Sequence, residues 1–433
     1  MWRSFVVTST GDYAISGGVI TPNEQDVGPP PGLKPPLEGG DVQGLKYLED
    51  IRKLLEPLHT HRECHSRQLY YDQYALLLML PFLNPTLAKL RSIQQATGLR
   101  NVQKKLHVHK TSLGSLSEAQ GRFDPALLGE CFQTLAAQAE AIDGHPRPGA
   151  LAEELEAVAY DGSLLHALPR MLWASWLDSE HRAIRLHMEF NIFKAVPQGV
   201  LVTAGNTDEN KVLRERLAPG KVYVVDAGFA EYALFESIIQ AQSSLVARVH
   251  DNAAYDIVQE RDLSEDDRAA GVEFDRVVRL GCKAKQGDLS KPLRLVKVHV
   301  KSPPQRGLAR RRSKVSSKKT FRHRPEEYDL LIATDLMDLP AEQVAMLFRF
   351  RWTIELFFRW FKCVLGFSHL LCESEKGLQI LVYCALIVSL FVVLWTGRKP
   401  TVRTLEMIQL YFQGWAELDE LEAHISSLQK RGR

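Results

Sequence analysis

The chain has 433 residues, 45% of them hydrophobic and 24% charged, the balance of a globular protein large enough for two or three modules around one sizeable core. Its formal net charge of +2, from 54 basic and 52 acidic residues, excludes attachment to nucleic acid by overall charge, so any basic footprint must be local. Cys64, Cys131, Cys282, Cys363, Cys372 and Cys384 have no repeated Cys-x-x-Cys spacing and read as free thiols of a reducing cytoplasm rather than a disulfide framework; the first residues lack the basic-then-apolar pattern of a secretion signal.

In chain order, residues 1–44 carry Gly-Pro-Pro-Pro-Gly and Lys-Pro-Pro with few apolar anchors. They are expected to be a disordered leader, of the kind an upstream start codon adds. From Leu45 to Leu99 the period turns helical, with Leu54, Leu55 and Leu58, then Tyr74 to Leu80, then Leu87, Leu90 and Ile93. A Gly- and Ser-containing loop over Ser112–Gly121 leads to Asp124-Pro125, which caps a helix through Ala141. Residues 45–148 are thus a helical N-terminal module. Near residue 150 the pattern changes: a segment runs into Asp161, Leu186, Met188 and Phe190 alternate as a strand does, and Val200–Thr203 is a further strand. A helix over Asp208–Leu217 precedes the β-branched run Lys221–Val225, which ends at Asp226. Strand, strand, strand, helix, strand is the order of the first half of a ribonuclease-H-like α/β fold, in which the first and fourth strands lie side by side and would bring Asp161 next to Asp226. A helix (Ala230–Gln242) and a strand (Leu245–Val249) follow.

Over residues 250–327 the helical period disappears, and short apolar pieces such as Arg276–Leu280 and Leu293–Val300 predict an antiparallel β insertion. Its end, residues 306–324, holds nine Arg or Lys and no acid, among them Arg310, Arg311, Arg312, Lys318 and Lys319. Such a run is either a solvated loop or a clamp on phosphates, the latter making binding steeply salt-dependent. A core strand at Leu330–Thr334 and a helix after Pro340 complete the core, read as residues 149–249 and 328–416, with 417–433 a helical tail. Ile380–Trp395 is almost wholly apolar. It is shorter than the roughly 20 residues of a membrane span and is read as a helix buried on all sides, the alternative being a membrane anchor.

Phe348–Lys362, FRFRWTIELFFRWFK, carries the most chemistry. On one helix Phe348, Arg351, Glu355 and Lys362 share a face about 60° wide. This stripe is either a solvated ion-pair row or the wall of a site. The surrounding Trp352, Ile354, Leu356, Phe357, Phe358, Trp360 and Phe361 favour the site, because so aromatic a helix is buried on most sides.

This spacing resembles the Tyr-Arg-Glu-Lys motif of bacterial insertion-sequence transposases, insertion-sequence family four. The likeness extends to Tyr160-Asp161-Gly162-Ser163, to Asp226-Ala227-Gly228-Phe229, and to Thr396-Gly397-Arg398-Lys399-Pro400 and Gly414-Trp415-Ala416, over about residues 155–416. It implies a retroviral-integrase-like core and a cut-and-paste transposase with the acidic triad Asp161, Asp226 and Glu355. The triad would hold two Mg2+ ions, which Mn2+ can replace. It further implies DNA contacts by Arg351, Lys362 and Phe348, with Phe348 standing where the family has Tyr, and binding to target DNA and to terminal inverted repeats, which residues 45–148, as a helical N-terminal DNA-binding domain, would help recognise. A homodimer on paired ends in a bacterial cytoplasm, nucleoid-associated when on DNA and without a membrane role, completes the expectation. Ala227 and Phe229 stand where Arg and Tyr are usual, and with Phe348 they keep open a transposase-derived DNA-binding protein that no longer cleaves. His59, His61, Cys64 and His65 lack a second ligand cluster and read as structural. His166 and His187 read as core or surface histidines, and Cys363 as packing.

Overall fold

The computed structural model describes residues 45–60, 69–138, 155–168, 170–176, 181–281, 289–301, 327–365, 371–396 and 401–430. The leader, His61, Cys64, His65, and the basic segment with Arg310, Arg311, Arg312, Lys318 and Lys319 lie outside the described residues. Six helices come first: α1 (Leu45–Leu55), α2 (Tyr71–Leu83), α3 (Leu90–Ala96), α4 (Arg100–Leu106), α5 (Leu113–Arg122) and α6 (Pro125–Ala137). The stretch expected as a loop over Ser112–Gly121 is α5. The Ser112 side chain caps it by accepting from the Ser115 amide at 3.0 Å, Leu116 and Ala119 supply its buried stripe, and Gly114 and Gly121 sit on the exposed side where their helix-weakening effect is offset by packing.

Nine strands then build one sheet in the order β3-β2-β1-β4-β5-β9-β8-β7-β6. They are β1 (Glu156–His166), β2 (Ala183–Asn191), β3 (Val196–Ala204), β4 (Lys221–Val225), β5 (Ser244–Val249), β6 (Tyr255–Arg261), β7 (Val272–Leu280), β8 (Leu293–Lys301) and β9 (Glu327–Thr334). Strands β1, β2 and β3 form an antiparallel meander, and β1, β4 and β5 run parallel. The first and fourth strands are neighbours, as the element order predicted. Segment 250–327 does not stand apart: β6, β7 and β8 extend the same sheet through antiparallel pairing with β9. Where β8 crosses β7, Arg294, 1% exposed, donates to both carboxylate oxygens of Asp275 at 2.8 and 2.7 Å and to the backbone carbonyls of Leu336 and Leu339.

The period of two divides the core. On β4, Val222 and Val224 join one apolar cluster while Tyr223 and Val225 join another; on β1, Ala157 and Ala159 face the first and Tyr160 the second. The second face is covered by α7 (Glu209–Glu215) and α8 (Tyr232–Gln240). The first face receives α10 (Ala341–Phe350), α11 (Trp352–Leu365), α12 (Glu375–Thr396) and the N-terminal helices, the short α9 (Glu265–Ala269) lying between β6 and β7. Helix α12, about 33 Å long at 1.5 Å per residue, contains the apolar Ile380–Trp395 run. Its most apolar window is 83% buried against α2, α5, α6 and β3, and its Ser389 hydroxyl donates to the Ala385 carbonyl at 2.6 Å. It is a core helix, with no broad face left for lipid. Helices α13 (Val402–Phe412) and α14 (Leu418–Lys430) close the chain.

Candidate active site

The sheet positions two acids by register. The parallel pairing of β1 with β4 ends at Ala159↔Val224, and Asp161 and Asp226 each lie two residues farther on, which puts both on the first face by strand alternation. The carboxyl ends of parallel strands are where open α/β sheets bind ligands. Each aspartate is fixed by the next amide: Gly162 N–H donates to Asp161 Oδ1 and Ala227 N–H to Asp226 Oδ1, both at 2.8 Å. One oxygen of each carboxylate is left for another partner.

Helix α11 brings the third acid to that face. Ile354, Phe357, Phe358 and Phe361 bury its inner side in the first cluster, and the helix packs on β1. Phe348–Lys362 is two helices rather than one. Helix α10 ends at Phe350, and Arg351 occupies the junction with helical φ −50 and ψ −32. There the Ile354 amide donates to the Arg351 carbonyl at 3.1 Å, a tightened i to i+3 turn. Glu355 and Lys362 therefore share α11, with Arg351 entering from its start. Phe348 belongs to α10; it is buried, with the Arg351 guanidinium 5.5 Å from its ring centroid. In that placement the Phe348 ring, 7% exposed, backs the Arg351 guanidinium, itself 8% exposed.

Arg351 is the hub. Its Nη2 lies 2.8 Å from Glu355 Oε1 and 3.5 Å from Asp226 Oδ2, while its Nε is buried without a partner among the described residues. Burial pushes the Asp161 carboxyl from 3.8 up to about 6; Arg351 and the Gly162 amide oppose the rise, and Glu209 and Glu355 add to it. Burial also lowers the Lys362 ammonium, against the pull of Asp161. Asp161, Glu355, Arg351 and Lys362 thus share one electrostatic neighbourhood, joined to Asp226 through Arg351. Two further members were not legible from spacing: Glu209, at the start of α7, pairs with Arg185 of β2. A Cβ on Gly162 would meet the Glu209 carboxylate, the movable end of a flexible side chain.

The donor set fits a hard divalent ion. Asp161, Asp226 and Glu355 offer only carboxylate oxygens, a guanidinium sits between two of them, and burial raises the ionisation of the third. A second group, Glu273, His299 and Asp329, has ligand atoms within 4.8 Å of one another. Lys297 fills it, with its ammonium 2.6 Å from Glu273 and 2.9 Å from Asp329, so its charges are already balanced. Three further histidines make structural contacts. His187 is a core residue with Nε2 2.8 Å from the Thr203 hydroxyl, His166 packs edge-on against Trp176, and His59 bonds Asp72 at 2.9 Å. Cys363, expected in packing, is exposed.

A family model for the transposase DDE domain matches residues 153–391, more than half of the chain and all three acids. The chain belongs to the transposase DDE-domain family. Among its relatives, a protein of Sinorhizobium fredii named as a transposase, y4zB, is 24% identical over 279 residues, covering 63% of this chain and 68% of the relative. A protein of Geobacillus stearothermophilus named for transposition of insertion sequence element IS5377 is 22% identical over 263 residues, 58% of this chain and 60% of its own length. The piggyBac transposase synaptic complex with hairpin DNA aligns with 11% identity over 89% of this chain and 83% of that one, at a TM-score of 0.34, too low to equate the folds element by element. The transposase match places a DNA transposase function on the segment that holds the acidic site.

Proposed function

We propose that this transposase cleaves and rejoins DNA at insertion-sequence ends by a cut-and-paste route, with Asp161, Asp226 and Glu355 holding two Mg2+ ions, or Mn2+ in their place. The observation that carries the reading is the Arg351 bridge between Asp226 and Glu355 beside the raised Asp161 carboxyl. The β3-β2-β1-β4-β5 order with parallel β1, β4 and β5 supports a ribonuclease-H-like core from residues 149–249 and 328–416, with 250–327 an insertion. The Arg-Glu-Lys spacing supports the finer assignment to insertion-sequence family four.

When bound, such ions supply Lewis-acid activation of an attacking water or 3′-hydroxyl and charge compensation at the leaving oxygen. The chain's own residues do the positioning. Arg351, between Asp226 and Glu355, orients the two carboxylates that would hold the ions, and its guanidinium would fix the register of a backbone phosphate brought to them. Lys362, half-buried on the same helix face, places a point charge on a second phosphate. Arg310, Arg311, Arg312, Lys318 and Lys319 extend this footprint along the duplex, and two copies pair the two ends. The setting is a bacterial cytoplasm, with the protein on the nucleoid when bound.

Purified protein with Mg2+ and DNA carrying the gene's flanking repeats tests this. Wild type should nick at the repeat ends, and Asp161→Ala, Asp226→Ala and Glu355→Ala should each lower cleavage at least about a hundredfold, the scale expected for loss of a principal charge-stabilising group. Equal cutting by the variants rules the assignment out. Ala227 in the turn after Asp226 favours a second reading, a DNA-binding protein that no longer cleaves. It predicts binding without Mg2+-dependent scission and recovery of scission in Ala227→Arg/Phe348→Tyr.

A further inference from the structure

The second face of the sheet has a gap behind the first acid. Along β1, Tyr160, Gly162 and Leu164 alternate onto that face, and Tyr160 fills its share of the second apolar cluster. Gly162 contributes no side chain, and the room one would take is occupied by the Glu209 carboxylate and the Arg185 side chain. Asp208 caps α7, its carboxylate accepting from the Asn210 amide at 2.9 Å and the Lys211 amide at 3.4 Å, so Glu209 opens the helix. Leu213, four residues on and fully buried in the second cluster, turns that helix face to the sheet and Glu209 with it. Arg185 stands on β2 opposite Leu164. Its Nε and Nη2 donate to the Gly205 carbonyl at 3.2 and 3.0 Å, and its Nη1 pairs with Glu209 Oε1.

This pair lies against the backbone one residue from Asp161, and the Glu209 side chain is only 27% exposed, so water screens its charge incompletely. The charge is felt at the site: Glu209 opposes ionisation of Asp161 more strongly than Glu355 does, although Glu355 shares the face of Asp161. A charge that hinders the lone aspartate helps it hold a cation. Without an ion Glu209 and Asp161 repel each other. With a divalent ion at Asp161, two positive charges outweigh one negative, and the contribution of Glu209 changes sign.

The geometry points to Glu209 as a fourth acid of the site, a positioning residue that strengthens the hold of Asp161 on a divalent cation from the opposite face of β1, with Arg185 fixing it in place. It rests on the reading that Asp161 holds an ion, and it adds a residue from the start of α7 to a set otherwise drawn from β1, β4 and α11.

The test counts free Mn2+ by electron paramagnetic resonance as the ion is titrated into the full chain at pH 8, without DNA. Glu209→Gln should weaken Mn2+ binding about tenfold, the scale of one charge acting on a dication through partly buried protein. Glu209→Asp keeps the charge and should stay within about threefold of the wild type. Glu215→Gln makes the same charge change at the exposed end of α7 and should leave affinity unchanged, because solvent screens it. Asp161→Asn is the reference and should weaken binding at least as far as Glu209→Gln, and circular dichroism verifies folding of each variant. Wild-type affinity in Glu209→Gln, an equal loss in Glu215→Gln, or Glu209→Asp no tighter than Glu209→Gln overturns the role of Glu209 while leaving Asp161 as a ligand. Wild-type affinity in Asp161→Asn overturns the ion-holding reading and this proposal with it.

Discussion

Replacing Asp161 by asparagine should stabilise this protein while ending its activity. The carboxyl ionises at about 6 in the folded, metal-free chain against 3.8 in an unperturbed one, chiefly because burial disfavours its charged form. A difference of about two units corresponds to about 3 kcal/mol. The asparagine side chain has similar shape, retains an oxygen for the Gly162 amide, and removes the buried charge. The sign follows from linkage. Below pH 3.8 the wild-type carboxyl is protonated in both states and the variant gains nothing. Between pH 3.8 and 6 the unfolded chain loses its proton first, so wild-type stability falls as pH rises, and above 6 the deficit is complete. The gain from Asp161→Asn should therefore be roughly half-sized at pH 5 and full, about 3 kcal/mol, at pH 8. For a chain of this length that is a rise in Tm of about 3–4 °C. Differential scanning calorimetry in EDTA reads it, and adding Mg2+ should raise the Tm of the wild type but not of the variant. A variant no more stable than wild type at pH 8, or a gain of equal size at pH 5 and pH 8, would refute the reasoning.

Two other groups give predictions away from the reaction. His187 is buried, and burial, with Arg185 and Arg216 nearby, lowers its ionisation from 6.5 to about 4. Its contribution is present above pH 6.5 and lost as pH falls toward 4, by up to about 3 kcal/mol; in urea titrations wild type should lose its advantage over His187→Gln between pH 7 and pH 4.5. Arg294→Ala leaves Asp275 buried with only Arg261, at 3.2 Å, and strips two carbonyls of their donor. It should cost about 3–5 kcal/mol in denaturant melts, whereas a surface change such as Arg279→Ala should stay within about 0.5 kcal/mol.

Much of the site is legible in the sequence because its determinants are local. The β-branched run Lys221–Val225 forms a strand whatever surrounds it, and it delivers Asp226 to that strand's end. The aromatic load of Trp352–Phe361 dictates a buried helix, so Glu355 and Lys362 are aimed by the residues beside them. The break at Arg351 was not legible: it contains neither Gly nor Pro, and Arg351 keeps helical dihedrals, so only tertiary packing distinguishes two helices from one. The α5 helix was hidden by Gly114, Gly121 and the three serines Ser112, Ser115 and Ser117, which local preference assigns to a loop and burial of Leu116 and Ala119 overrules. Strand β6 was hidden differently, since an edge strand carrying Asp256, Gln259 and Glu260 with little burial has no apolar alternation to find. The approach of Glu209 and Arg185 to Asp161 comes from residues far apart in the chain, and no local pattern announces it.

Metal specificity in a single ligand variant tests the central claim most directly. In Asp161→Cys a hard carboxylate becomes a soft thiolate, which binds Mg2+ poorly and accepts Mn2+ more readily. If Asp161, Asp226 and Glu355 hold the ions that drive strand cleavage, this variant should be inactive with Mg2+ and regain measurable cleavage of flanking-repeat DNA with Mn2+, while the wild type cuts with both. Full activity of Asp161→Cys in Mg2+, or its inactivity with both ions in a chain that folds and still binds DNA, would contradict the account.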